Sequence, residues 1–128
     1  MLLPPSVRIR TAADLGDVWR ALRGGLRFPD LTVWLLLVDG AGRPRRLHAL
    51  AGLPDGPYDV APGEVAALLE EYAAGHRVAV LYGRPGIGPW HIGDRAWTRF
   101  LGALYPAWPV HRARDDVLEA CPFGSDGP

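Results

Sequence analysis

The stretch Arg77–Leu101, RVAVLYGRPGIGPWHIGDRAWTRFL, decides how this chain is read. Its opening, Arg77 to Tyr82, is nearly all apolar, the pattern of a short strand buried on both faces. Gly83 to Gly93 then interrupts with four glycines and two prolines. A helix is predicted from near Asp94, with Trp97, Phe100, Leu101 and Leu104 on one face and Pro106 as its stop. A strand, a glycine-rich loop and a helix in that order is a place where α/β proteins often put ligands.

Upstream, Leu15, Val18, Trp19, Leu22 and Leu26 recur every three or four residues and predict a helix over about Ala12 to Leu26. Thr11 and Asp14 have capping-box spacing at its start. Leu31 to Asp39 reads as a buried strand, Asp39 to Pro44 as a turn and about Arg45 to Ala51 as a second strand, together a hairpin. A helix follows over about Pro62 to Ala74, with Val65, Leu68, Leu69 and Tyr72 on its buried face. Downstream, Trp108 to Ala113 reads as a strand and Asp115 to Ala120 as a final helical turn. The expected class is α/β (α+β): a three-layer mixed β-sheet flanked by helices, in the order α-β-β-α-β-α-β. One domain is expected over 1–128, with its core at about 11–120 and flexible tails at 1–6 and 123–128.

Composition narrows the chemistry. The 128 residues carry 14 basic and 14 acidic side chains, and every basic one is Arg. Without Lys there is no Schiff-base chemistry and no phosphate-loop lysine. Ser occurs only at 6 and 125, an unpromising supply for a serine nucleophile that must sit in a preorganised pocket. Neutral net charge does not support nucleic-acid binding. A single Cys, Cys121, permits no internal disulfide, and the longest apolar run is too short to span a membrane; a cytoplasmic protein is expected. The Ala-, Arg-, Gly- and Pro-rich composition is also what a high-GC genome produces.

Candidate chemistry gathers in and around the 83–93 loop. It lacks the pattern of a phosphate loop, and Pro85 and Pro89 remove backbone donors. His91 and Asp94 stand three residues apart and are the weak catalytic candidates, as a general base and its orienter. His48 and His111 lie on predicted strands. No histidine pair has helical metal-site spacing, so neither a metal nor a cofactor is expected. Trp19, Trp34 and Trp97 read as core; Trp90 is either an exposed binding residue or an anchor tucked into the loop.

The element order, the Pro85-Gly86 turn after an apolar strand, and the Asp94-x-x-x-Thr98-x-x-Leu101 helix start resemble the JAB/MPN fold, and more closely its RadC-type branch. The resemblance covers roughly Thr11 to Ala113. It implies a site in which two His and an Asp hold zinc, an upstream Glu acts on the bound water and a Ser assists the oxyanion. Here Tyr82 and Arg84 stand at the two His positions and His91 at the Ser position. Asp94 alone matches. The Arg84-to-Asp94 spacing is one residue short, and no acid lies between Asp39 and Asp55 to serve as the Glu. Arg cannot ligate zinc because it stays protonated. The expectation is a metal-free, catalytically inactive relative, in which Arg84 replaces the cation and pairs with Asp94.

Two functions follow, and a third stands beside them. The first is a module that binds a protein or peptide through Tyr82, Arg84, Trp90, His91 and Asp94, or through a sheet edge. The second is a hydrolase with a non-standard site on His91 and Asp94, with or without His111. The third is a structural homodimer joined near Trp90 or Trp108.

Overall fold

Thr11 and Asp14 start the first helix as their spacing predicts. The computed structural model describes residues 8–57, 62–73 and 75–121. Thr11 Oγ1 accepts the Asp14 N–H at 3.1 Å, and the Asp14 carboxylate accepts the N–H groups of Thr11 and Arg10 at 3.1 and 3.0 Å. The capping box thereby satisfies the N–H groups of Thr11 and Asp14 at the helix start. Helix α1 runs Ala12–Arg23 and buries Leu15, Val18, Trp19 and Leu22.

The hairpin follows. Strands β1 (Thr32–Val38) and β2 (Pro44–Leu50) pair antiparallel. Asp39 shapes the turn: its Oδ1 accepts the N–H groups of Ala41 and Arg43 at 2.9 and 3.0 Å, so the side chain mimics backbone there. The remaining elements are α2 (Pro62–Ala73), β3 (Arg77–Gly83), α3 (Ile92–Leu104), β4 (His111–Arg114) and β5 (Val117–Ala120). The five strands form one mixed open sheet in the order β2-β1-β3-β4-β5. Strand β3 is antiparallel to β1 and parallel to β4. The described part of the chain is thus a mixed α+β fold with three helices.

The unbroken apolar runs of β1 and β3 reflect burial on both faces. Val33, Leu35, Leu37, Val78, Val80 and Tyr82 join a core with Leu69, Trp97 and Leu101 of α2 and α3. Alternate residues Leu36, Val38, Ala79 and Leu81 join another core with Leu15, Val18, Trp19 and Leu22 of α1. Leu35 and Leu36 are both fully buried, so truncating either to Ala leaves a cavity costing about 3 kcal/mol.

Two expectations change. Residues 117–120 form strand β5 and not a helical turn, so the order gains a strand at its end. Asp115 and Asp116 make a two-residue turn, with Arg114 facing Val117 in register, and four residues extend more readily beside an open sheet edge than they form an isolated helix. Leu68 is 42 % exposed while Leu69 and Ala73, four apart on one helix face, are buried; the side chains of Val65 and Tyr72 lie outside the described set. Cys121 is buried in the core beside β4, its N–H donating to Val110 O at 2.8 Å. The expected tails at 1–6 and 123–128 fall outside the described residues. Among those described, no helix is long and apolar enough to cross a membrane.

Candidate functional site

Tyr82, near the end of β3, points its ring into the α3 side of the sheet and is fully buried. It stacks on Trp97 of α3 with ring centroids 6.4 Å apart. Trp97 is fixed in turn by its Nε1–H, which donates to Pro54 O at 2.9 Å. This packing delivers the Tyr82 hydroxyl to the first turn of α3, where it donates to Asp94 Oδ1 at 2.5 Å.

Asp94 is the third residue of α3 and is 1 % exposed. Its Oδ2 accepts the His91 backbone N–H at 2.7 Å, which satisfies a free donor at the positive end of the helix. Its Oδ1 also meets Arg84 Nη2 at 2.7 Å. The pairing expected between Arg84 and Asp94 is therefore present, and both carboxylate oxygens are engaged. Burial weakens the charge on Arg84, but the Tyr82 hydroxyl and the carboxylates of Asp94 and Asp55 outweigh it and raise the guanidinium pKa. Burial, chiefly, with the neighbouring carboxylate, pushes the Tyr82 phenol well above its usual range, so it remains a proton donor.

Asp55 comes close because Gly93 has no side chain: a Cβ there would collide with the Asp55 carbonyl oxygen. Gly83 is similarly constrained, since a Cβ would strike the Phe28 ring and come within 2.7 Å of Ala113 O.

The 84–90 loop is fastened to the end of β4. Gly86 N–H donates to Asp115 Oδ2 at 2.9 Å, and Asp115 N–H donates back to Gly86 O at 2.9 Å. Gly86 has a φ of +96°, a conformation that favours glycine. Arg114 is 8 % exposed and donates to Pro89 O at 3.0 Å and Pro85 O at 3.4 Å. Trp90 packs against the core and lies under the guanidinium groups of Arg112 and Arg114, 4.8 and 5.7 Å from the ring centre. It is the tucked-in anchor of the two alternatives. Ile87 and Ile92 remain exposed.

Of the five candidates, Tyr82, Arg84 and Asp94 form one contact network, His91 joins it through its backbone, and Trp90 belongs to the neighbouring arginine clamp. His111 lies elsewhere. It is buried under α1, and its Nε2 is 3.5 Å from where a Gly16 Cβ would stand. That is the opposite side of the sheet from Asp94, so the structure does not assemble His91, Asp94 and His111 into one site. Sequence reasoning missed Asp55, Arg112, Arg114 and Asp115. The alternation Arg112-Ala113-Arg114 was the available signal, but nothing local pairs it with a loop more than twenty residues earlier.

The residues present do not fit the zinc that the resemblance implies. At the positions where the resemblance would put His ligands stand a permanent cation, Arg84, and a phenol held in its proton-donating form, Tyr82, and Asp94 is already engaged by three partners. Among the described residues, no group of three or more His, Cys, Asp or Glu is placed to hold a metal ion. No protein-family model matches the chain, and no curated protein matches it significantly.

Proposed function

We propose that the chain is a metal-free relative of the JAB/MPN-like, RadC-type domains, with their three-layer arrangement, and that it serves as a binding module for a protein or peptide. The observation that carries this reading is the Arg84–Asp94 ion pair at 2.7 Å. Where the resemblance calls for a zinc ion, a guanidinium supplies the positive charge and the Tyr82 hydroxyl completes the carboxylate's bonds. Such a network stabilises the loop–helix junction but offers no open coordination position and no activated water. The separate cores on the two faces of the sheet support the three-layer arrangement.

The test is metal content. Protein incubated with zinc and dialysed is expected to retain no stoichiometric metal. A single equivalent retained by the parent protein and lost on Asp94→Ala would overturn the reading.

A further inference from the structure

Among the described strands, β2 lies at the edge of the sheet and pairs only with β1. Its seven residues present an edge of roughly 23 Å, and the outward backbone groups of an edge strand are a template for pairing. Beside it, toward α2, runs a groove of about 760 Å³. Leu37 contributes to its floor, and its polar lining includes Arg45, Arg46, His48, His76 and Glu71.

A regular strand would send Arg45 and Arg46 to opposite faces. The register explains why both line one groove. Leu37 pairs with Arg46 but Val38 pairs with Pro44, so Arg45 is the extra residue of a β-bulge. Bulges re-aim side chains in this way. The groove therefore holds two adjacent arginines and two histidines against one glutamate. Among the described residues Arg45 is paired with Asp39 at a long 3.9 Å on an exposed surface, worth little in water.

We propose that the β2 edge and this groove bind an extended acidic segment of a partner protein, which adds to the sheet as a further strand. This rests on the binding-module reading and names the partner's chemistry. Main-chain pairing with β2 gives the affinity of strand addition, and Arg45 and Arg46 select carboxylates on alternate residues of the incoming segment. The same arginines disfavour a second copy of this chain, because pairing two β2 strands brings like charges together. A nucleic acid satisfies the charge but not the strand's backbone groups.

The experiment uses the full chain and fluorescence anisotropy with labelled peptides. One probe alternates Glu with Val; the controls are a Lys–Val peptide, the Glu–Val peptide N-methylated at alternate residues, and a single-stranded oligonucleotide. The Glu–Val peptide is expected to bind at least about tenfold more tightly than each control. The R45E/R46E variant is expected to reverse the preference toward Lys–Val, which also shows that it is folded. Equal binding of the N-methylated peptide, tighter binding of the oligonucleotide, or acidic-peptide binding unchanged in R45E/R46E would each overturn the proposal. So would a parent dimer that R45E/R46E dissolves. Loss of this proposal with no zinc bound leaves the metal-free binding module standing; a zinc equivalent that Asp94→Ala abolishes removes that reading itself.

Discussion

The Tyr82 hydroxyl and Asp94 Oδ1 are 2.5 Å apart, at a junction where a strand, a loop and a helix converge. The carboxylate has lost nearly all contact with water, so its partners must replace hydration. Tyr82→Phe removes one partner and leaves the ring stacked on Trp97. We expect a loss of about 1–2 kcal/mol in urea unfolding. A variant as stable as the parent would show that the hydroxyl contributes nothing to holding Asp94.

Arg84 is the second partner. Its side chain is 21 % exposed against 1 % for Asp94, so the pair is buried on one side only. Arg84→Leu leaves a buried carboxylate without its counter-ion and is expected to cost roughly 3 kcal/mol. Adding Asp94→Asn removes the orphaned charge while keeping an acceptor for the His91 N–H, and should recover about half of the loss. Additive losses in this double-mutant cycle would contradict a direct pairing.

The Asp115–Gly86 exchange of hydrogen bonds predicts a local effect. Asp115→Ala should raise amide hydrogen exchange at Gly86 by about tenfold with little change in global unfolding. Unchanged protection at Gly86 would mean that other contacts hold the loop.

His111 sets an acid-side dependence. Burial, with Arg20 nearby, lowers its pKa from the ordinary 6.5, against the opposing hydrogen bond to Pro109 O. Below 6.5 the unfolded chain binds a proton there that the folded chain refuses, so stability falls as pH falls from 6.5 through the folded value. Above 6.5 this group contributes no slope. Asp14 and Asp39 are also lowered, but from 3.8, so their stabilisation is lost in a more acidic window. Urea titrations across pH should show the upper slope flattened in His111→Gln and the lower one retained.

Gly93 and Gly63 make a matched pair. A methyl at 93 meets the Asp55 carbonyl, whereas one at 63 meets nothing within 4 Å. Gly93→Ala should destabilise by about 2 kcal/mol, and Gly63→Ala should stabilise by up to about 1 kcal/mol. Equal effects in thermal unfolding would rule out the close approach of the 55 segment to α3.

Local signals in the sequence reached far into this fold. The Thr11–Asp14 cap, the two unbroken apolar strands and the face of α3 each depend on residues within one or two turns of one another. The Arg84–Asp94 pair was expected only through the resemblance, which puts a guanidinium where a cation would stand; nothing in the local spacing points to it. Strand β5 was not readable. Val117 to Ala120 is too short to show a period, and its extended form comes from pairing with β4. Asp55 and Arg114 were hidden for a related reason: each reaches the site from a distant segment, through contacts that no local pattern encodes. The bulge at Arg45 depends on the register against β1, which the sequence of β2 alone does not carry.

The fastening of the 84–90 loop has a consequence for synthesis. Its anchors follow it by 25 and 29 residues, and closing a loop of that length costs about 3 kcal/mol in chain entropy. A nascent chain that has emerged only through α3 already contains Tyr82, Arg84 and Asp94 but lacks the hairpin that grips Pro85, Gly86 and Pro89. The loop can be fastened only once the β4–β5 hairpin has left the ribosome, so this surface is completed after α3 and the strands that precede it.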